Sequence, residues 1–266
     1  MRHILLITSL ILSCAVEAKQ RVNIATDLIP EGGIQKADLV SGFMYQITES
    51  LSDKYDFNYE LASREREWRL LEQNSNLCLY NKQKSPERVN LAYYAASPLI
   101  IYPPNRLIVT KPLPWTSEIS LSQLLEDRPM RIGVINGRRY SEQIDRLIRN
   151  GSRHFYQGAG SQKAERLHTM LLQGKLDGII EYASVFKSRQ LVDKNTTPVF
   201  TYALVEAKTP VEGYIACSKS AVGKQVILDI QNVMATPSYQ GYVINALQNT
   251  PALPEADYII EMLGYQ

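Results

Sequence analysis

A serine, a proline, a glutamate and an arginine stand together at residues 85–88 and could bind a small anion. Ser85 is a residue type that accepts hydrogen bonds from the free N–H groups of a helix start, and Pro86 is tolerated at the first helical position. Such a helix start carries partial positive charge, to which Arg88 adds a full charge and a planar set of donors. A carboxylate would be held well there. The alternative is a capped surface helix with an arginine in its first turn.

Polar residues that follow apolar, strand-like segments form a second group of candidates. We predict strands at residues 21–27, 77–80, 131–135 and 176–182, and in alternating α/β chains ligands bind at the carboxyl ends of strands. The candidate ligand-binding residues at or beside these ends are Asp27, Arg66, Tyr80, Asn81, Ser85, Arg88, Gly137, Arg138, Arg139, Tyr140, Glu181 and Tyr182. Glu181 could contact a cationic group of the ligand, or it could pair with Arg138 or Arg139.

The elements that would position these residues follow the same order twice along the chain. In each half, strands alternate with amphipathic helices, and the segments LLEQNSNLCLY and MLLQGKLDGII share a helix, a stop and a strand. The second of these stops, Gly174, is typical of a left-handed helix cap. The alternation predicts an α/β fold with two mostly parallel sheets and a ligand cleft between them. Tyr93, Tyr94 and Tyr102 lie near a predicted crossing, where they could stack on a ligand or pack between the lobes.

The first 18 residues are typical of a cleaved secretory signal. A basic start precedes an apolar run at residues 4–13, and Val16-Glu17-Ala18 fits a cleavage site before Lys19. Because the run is too short to span a bilayer, we expect a soluble protein secreted to the periplasm. The alternative is a lipid anchor at Cys14.

Composition and motifs argue against several other functions. Removal of residues 1–18 takes away one base and one acid, which leaves the net charge at +2 and indicates no nucleic-acid partner. His154 and His168 have no neighbours at metal-ligand spacing. The sequence also has no phosphate loop, no Gly-x-Ser-x-Gly segment and no Cys-x-x-Cys pair. We therefore predict neither a metal nor another cofactor.

Cys78 and Cys217 are the two cysteines that follow the signal segment. Each lies in a strand-like stretch, LCLY and YIACS. In an oxidising compartment such a pair can form a disulfide. The alternative is two buried free thiols.

The chain resembles the periplasmic solute-binding proteins of family 3, which have the type II two-lobed fold. The resemblance is carried by RVNIATD, EWRLLEQNSNLCLYN, SPERVNLAYYAASPL in the place of the family's T-P-E-R segment, NRLIV, RIGVINGRRY and LQGKLDGIIEY. Within the family, the resemblance is greatest to an uncharacterised branch with one cysteine before the P-E-R segment and one in the return strand, here Cys78 and Cys217. It implies two lobes, each a mostly parallel sheet flanked by helices, joined by two hinge strands. Lobe 1 would comprise residues 19–108 and 207–266, and lobe 2 residues 109–206.

The resemblance also implies roles for particular residues. In this fold the strands of Cys78 and Cys217 are neighbours, about 5 Å apart, which is within reach of a disulfide. Amino-acid-binding members of the family hold a carboxylate at the positions of Arg88 and Gly137-Arg138. They hold the ammonium group with an aspartate where this chain has Tyr182. The missing aspartate and the neighbouring arginines Arg138 and Arg139 suggest a ligand richer in acid groups than an ordinary amino acid.

We therefore expect a monomeric, passive receptor that closes its two lobes on a small, acidic solute. A membrane transporter or a membrane-bound sensor would recognise the closed form. Two alternatives remain. One is a secreted dehydratase-like enzyme on the same fold that uses Glu181 with Arg138, and the other is a degenerate member that acts as an interaction module.

Overall fold

Twelve strands and ten α-helices form the part of the chain that the computed structural model describes, which is residues 18–27, 29, 38–114, 118–158, 163–250, 253 and 255–265. The strands are β1 (Gln20–Thr26), β2 (Tyr55–Leu61), β3 (Leu77–Lys82), β4 (Ala92–Tyr94), β5 (Ile100–Tyr102), β6 (Arg106–Val109), β7 (Glu118–Ile119), β8 (Ile132–Ile135), β9 (Phe155–Gly158), β10 (Gly178–Glu181), β11 (Phe200–Leu204) and β12 (Val211–Ser218). The helices are α1 (Leu39–Ser50), α2 (Arg64–Gln73), α3 (Pro86–Leu91), α4 (Leu121–Asp127), α5 (Glu142–Asn150), α6 (Lys163–Leu172), α7 (Ala183–Val192), α8 (Ala221–Met234), α9 (Pro237–Gln248) and α10 (Ala256–Leu263).

The strands form two six-stranded sheets. The order in the first sheet is β2-β1-β3-β12-β4, with β5 also paired to β12, and the order in the second is β7-β11-β6-β10-β8-β9. Among the described strands, every antiparallel pairing involves β6 or β12. These are the strands that the chain enters directly after passing from one sheet to the other, so they run away from the junction. The other strands end at it. The sheets are therefore more mixed than predicted.

The chain crosses between the sheets at residues 103–105, after β5, and at residues 205–210, after β11. β6 pairs with β10 and β11 of the second sheet. The predicted lobe boundary after residue 108 would therefore divide a strand, because β6 belongs wholly to the second sheet.

Helices cover both faces of each sheet, and each face has its own apolar core. In the first sheet, Phe43 and Ile47 of α1 pack with Ile24 on one face, and Leu71 of α2 packs on the other. In the second sheet, the core formed with α4 and α5 lies on one face and the core formed with α6 and α7 on the other. The helix stop predicted at Gly174 is confirmed, since this residue has a φ of +69°.

The disulfide between Cys78 and Cys217 is present. The two residues are direct partners on the antiparallel strands β3 and β12, with their Cα atoms 4.0 Å apart. The loop that the bond closes contains both crossings and the whole second sheet. The disulfide thus joins the first sheet at the two points between which the second sheet is inserted.

Most of the predicted signal segment, with Cys14, lies outside the described residues. Within the described ranges, no helix is both long enough and apolar enough to cross a bilayer.

We predict that reduction of the Cys78–Cys217 bond lowers the free energy of unfolding. Closing a loop of this length removes unfolded-state entropy worth up to about 5 kcal/mol. Thermal or urea unfolding with and without a thiol reductant measures the effect. The Cys78→Ala/Cys217→Ala double variant is the control, because its unfolding midpoint should be low and should not respond to reductant. A midpoint for the unsubstituted protein that reductant leaves unchanged would contradict the prediction.

Candidate ligand-binding cleft

Arg88 extends from the first sheet across the junction to the second. Ser85 is the N-cap of α3, and its Oγ accepts a hydrogen bond from the Arg88 backbone N at 3.3 Å. The Arg88 guanidinium lies over the Trp68 ring, 4.6 Å from its centroid. It donates to the carbonyl oxygens of Gly137 at 3.1 Å and Gln83 at 3.5 Å. Because Gly137 follows β8 of the second sheet, Arg88 spans the cleft between the lobes.

In this segment the guanidinium, and not the helix end, is the positive group with no acid beside it among the described residues. Helix α3 has only six residues, and Glu87 lies in its first turn. The Glu87 carboxylate accepts a hydrogen bond from Ser85 Oγ at 2.8 Å and pairs with Arg139 at 2.8 Å. A second anion at this helix start would be repelled by Glu87. Anion binding by the helix terminus itself stays a prediction, and the position of Glu87 argues against it.

Most cations at or beneath the cleft are paired with a carboxylate. The pairs are Arg64–Asp27 at 2.8 Å, Lys82–Glu67, Arg138–Glu181 at 2.8 Å, Arg139 with Glu87 at 2.8 Å and with Asp145 at 3.3 Å, and Lys163–Glu65 at 3.1 Å. Among the described residues, no carboxylate lies at ion-pair distance from Arg88 or Lys84. Lys84 instead has its Nζ 3.6 Å from the ring centroid of Tyr214. Burial lowers the pKa of the Arg88 guanidinium, which has lost hydration without an acid at ion-pair distance. Burial also lowers the pKa of Lys84, although this residue is largely exposed and the charge of Glu212 opposes the shift.

Arg138 is buried in a stack of side chains that joins the lobes. Its Nη1 lies 2.8 Å from Glu181 Oε1, and its guanidinium lies 4.6 Å from the ring centroid of Tyr182. Tyr182 stacks in turn on Tyr102 of β5, with ring centroids 4.1 Å apart and an interplanar angle of 9°. Of the two interpretations offered for Tyr102, packing between the lobes is the one that the structure shows.

The Glu181 carboxylate remains charged at all ordinary pH values. Burial by itself raises its pKa, but the charge of Arg138 and the contacts with His168 and the Tyr182 N–H lower the pKa to about 2. The Tyr182 N–H donates to Oε1 at 2.9 Å, and His168 Nε2 lies 3.9 Å from Oε2. Of the two roles predicted for Glu181, the structure shows the ion pair.

Several predicted residues shape the cleft from beneath. Tyr80 and Tyr140 are buried, and their hydroxyls are hydrogen-bonded at 2.8–2.9 Å within their own lobes. Asn81 donates through Nδ2 to the Tyr102 hydroxyl at 3.1 Å. Gly137 has a φ of +77°, and a Cβ there would lie 3.2 Å from a Glu65 carboxylate oxygen. Glycine is therefore favoured at this turn, because other residues rarely adopt this φ and a Cβ would crowd the first lobe.

Arg64, and not the predicted Arg66, is the cleft arginine of α2. Arg66 is exposed, whereas Arg64 Nε donates to Asp27 Oδ2 at 2.8 Å. The sequence holds a signal for this choice, because Trp68 is a large, mostly apolar residue of the type that packs inward. A residue four positions before it lies on the same helix face.

A cavity of about 300 Å³ lies between the lobes. Arg88 is not among the described residues that line it, but its guanidinium donates to the carbonyl of Gln83, which does line it. The cavity walls come from the end of β3, from both crossings and from the start of α5. Lining residues include Gln83, Lys84, Asn105, Tyr140, Ser141 and Tyr214. Asn105 is fully buried, and its Oδ1 has no hydrogen-bond partner. Two acids also line the cavity, and both are engaged: Glu212 accepts from the Tyr214 hydroxyl at 2.6 Å, and Glu142 pairs with Arg146 at 3.1 Å.

Comparison with known proteins finds similarity in structure and not in sequence. No protein family model matches the chain, and no curated protein matches it. Solved structures do match. One comes from a study of glutathione import via GshT and the cystine ABC importer TcyBC of Streptococcus mutans. It is 15% identical, with a TM-score of 0.68, and the match covers 88% of this chain and 95% of that protein. The arginine-, lysine-, histidine-binding protein ArtJ of Geobacillus stearothermophilus has a TM-score of 0.66 and 14% identity, covering 90% of this chain and 100% of its own.

This chain has the type II periplasmic-binding-protein fold. The fold resemblance predicted from the sequence is thereby confirmed, including two helix-flanked sheets and the disulfide. A third similar structure is a histidine kinase sensor domain that itself resembles periplasmic binding proteins, with a TM-score of 0.64, 12% identity and coverage of 88% of this chain and 96% of its own. The fold therefore occurs both in proteins of ABC importers and in a sensor.

We predict that Glu181→Gln removes a stabilising ion pair from the core of the cleft. The folded-state pKa of about 2 is below the ordinary value of 4.5. The pair therefore stabilises the fold above pH 4.5, and its contribution is lost as the pH falls from 4.5 towards 2. A shift of this size corresponds to about 3 kcal/mol at neutral pH.

Urea unfolding at several pH values between 7 and 3 measures this effect. The Glu181→Gln variant should be less stable at pH 7 and should lose less stability on acidification. Glu142→Gln, which removes an exposed ion pair within α5, is the matched control and should change little. Equal acid sensitivity of Glu181→Gln and the unsubstituted protein would contradict the assignment.

Proposed function

We propose that the protein is a periplasmic, monomeric solute-binding protein that holds a small, acidic solute between its two lobes. The observation that carries the proposal is Arg88, a partly buried guanidinium that spans the cleft without a carboxylate partner. Its acceptors are two backbone carbonyls. A ligand carboxylate could accept two of its N–H groups at once, which gives shorter and stronger bonds than a neutral carbonyl does.

The second unpaired cation extends the same argument. Lys84 lies four residues before Arg88 and lines the cavity between the lobes. Its ammonium faces the Tyr214 ring, which is a weaker partner than a carboxylate. Both acids of the cavity wall already have partners. A solute with an acid group at Arg88 and a second acceptor towards Lys84 therefore meets two positive charges and few competing negative ones.

Contacts between the lobes support a mechanism of closure around this solute. Gln83 Nε2 donates to the Arg139 carbonyl at 3.0 Å, Lys163 pairs with Glu65, and Tyr102 stacks on Tyr182. A ligand stabilises the closed form only by contacts that the open form lacks. A solute held by Arg88 near the Gly137 turn would add such contacts. The proposed lobes are residues 19–105 with 207–266, and residues 106–206.

The proposed partner is a membrane transporter or a membrane-bound sensor. Solved structures similar to this chain come from both settings, since they include proteins of ABC importers and a histidine kinase sensor domain. The signal segment at residues 1–18 is consistent with either location outside the cytoplasm.

The geometry argues against a dehydratase that uses Glu181. A general acid or base needs a pKa near the working pH and access to the substrate. Glu181 is 4% exposed in its side chain and is bonded to Arg138, and its pKa is about 2. It is a fixed counter-ion and not a proton carrier.

We predict that small carboxylic acids raise the melting temperature and that Arg88→Ala removes this effect. Isothermal titration calorimetry with a panel of mono- and dicarboxylates and acidic amino acids, at pH 7, measures the affinity. Loss of a charged hydrogen-bond pair costs about 1.5–3 kcal/mol, which is about ten- to a hundredfold in affinity. Arg66→Ala, an exposed arginine of α2, is the matched control and should bind as the unsubstituted protein does.

Three outcomes would contradict the proposal. The first is stabilisation only by polyamines or neutral sugars. The second is carboxylate binding that Arg88→Ala and Arg66→Ala leave equally strong. The third is failure of any small molecule to bind while a membrane protein partner still does so, which would favour the interaction-module alternative.

A further inference from the structure

A second cavity, of about 480 Å³, lies on the first lobe between α1 and the edge strand β2. Most of its lining comes from the second half of α1, the turn after it and β2. The lining residues that carry the argument are Tyr45, Glu49, Tyr55, Asp56, Phe57 and Tyr59. Four of these six are aromatic and two are acidic. The protein has 16 tyrosines and 5 phenylalanines among 266 residues, so four aromatic rings around one cavity is a marked concentration.

Local structure explains why the aromatic rings meet. Tyr55, Phe57 and Tyr59 alternate along β2, so their side chains leave the same face of the strand. The rings of Tyr55 and Phe57 have centroids 5.5 Å apart. Tyr45 and Glu49 are four residues apart on α1 and share one face of that helix. The Tyr59 hydroxyl is hydrogen-bonded to Thr48 Oγ1 at 3.0 Å, which fixes the Tyr59 ring against α1.

The charges at this cavity favour a cation. Among the described residues, Glu49 and Asp56 have no ion-pair partner, and both are exposed. Burial raises the pKa of Tyr59, and the Glu49 charge acts in the same direction; both residues line the cavity. The nearby Lys54 is already paired with Asp229 at 2.5 Å. Lys19 is the one basic residue among those that line the cavity.

We propose that this cavity binds a small organic cation, an alkylated ammonium ion of the size of choline. Aromatic faces attract such cations through their quadrupoles, and the alkyl groups fit an apolar ring surface. The Glu49 carboxylate supplies the counter-charge on the side of the rings, and Asp56, on the opposite face of β2, adds negative charge at the rim. A metal ion or a bare ammonium would need several oxygen ligands instead of ring faces. Three of the six residues, Tyr45, Phe57 and Tyr59, are aromatic and only partly buried, whereas Tyr55 is 1% exposed and belongs to the core.

The cavity is separate from the cleft between the lobes. The amino-terminal half of α1 reaches the cleft side, where Ser41 bonds to Tyr80. The cavity lies towards the other end of this 12-residue helix, which is about 18 Å long. The proposal therefore does not rest on the proposed acidic solute, and variants at one site should leave the other unchanged.

The test is a titration of the folded protein with choline and with 3,3-dimethyl-1-butanol, its uncharged isostere, by calorimetry or by NMR of the aromatic signals. We expect choline to bind in a saturable manner and the isostere to bind at least about fivefold more weakly, since only choline carries the charge. Sodium chloride at equal concentration is the control for ionic strength.

Two variants assign the binding to this cavity. Glu49→Gln removes one carboxylate from an exposed position, and Tyr45→Leu removes one ring face while retaining an apolar side chain. Each should weaken choline binding about five- to tenfold. Glu72→Gln, on the exposed face of α2, is the matched control and should have no effect. The alkylated ammonium group could belong to a lipid headgroup or to a free small molecule, and flotation with phosphatidylcholine vesicles distinguishes the two. Co-flotation that Glu49→Gln abolishes identifies a lipid headgroup. Choline binding without co-flotation identifies a free cation.

The proposal is overturned if choline does not bind at millimolar concentrations, or if the isostere binds equally well. It is also overturned if Glu49→Gln and Tyr45→Leu both bind choline as tightly as Glu72→Gln does. Circular dichroism of each variant checks that the fold is retained. If Tyr45→Leu alone fails to fold, Glu49→Gln and the isostere still decide the question.

Discussion

A guanidinium group that is taken out of water must find new partners for its charge and its donors, because an unpaired buried charge is very costly. The cleft of this protein satisfies that demand in two different ways. Arg64, Arg138 and Arg139 are each bonded to a carboxylate of the chain itself. Arg88 has a ring face and two carbonyls instead. Of these four arginines, Arg88 therefore has the most to gain from an acid supplied by a ligand.

The positions of these arginines depend on the way in which the chain passes between its sheets. Strands that end at the junction deliver Asp27, Lys82 and Glu181 to it, while β6 and β12 begin there and run away from it. The Tyr102–Tyr182 stack joins the two sides, and the buried Arg138–Glu181 pair lies beside it within the second lobe. The disulfide fixes β12 against β3 behind them. This rigid framework on each side of the cleft keeps the Arg88 guanidinium, which has no carboxylate partner among the described residues, at a defined position.

Much of the fold could be predicted from the sequence, because local signals agreed with the final arrangement. The alternation of Val22 and Ile24, the helix stop at Gly174 and the cap formed by Ser85 each follow from local chemistry. The pairing of Cys78 with Cys217 needed the resemblance, since residues 139 positions apart share no local signal. The sequence alone does not show which sheet β6 joins, because an apolar strand after a Pro-Pro pair fits either one.

The site was less predictable, because side-chain partners across the cleft are set by tertiary contacts. Nothing local distinguishes Arg64 from Arg66 except the helical phase relative to Trp68. Glu181 was a candidate for ligand contact, yet the neighbouring turn brings Arg138 to it. The partners of Arg88 could not be predicted, since they are a carbonyl of the other lobe and a ring of another helix. Sequence patterns predict which face a residue occupies but not which charges remain without a partner there.

The most direct measurement is a crystal structure of the protein grown with whichever small acid stabilises it most. The account predicts density for a carboxylate within hydrogen-bond distance of both terminal nitrogens of Arg88, in place of at least one of its present carbonyl acceptors. Density for the acid elsewhere, with Arg88 still bonded to the Gly137 and Gln83 carbonyls, would contradict it.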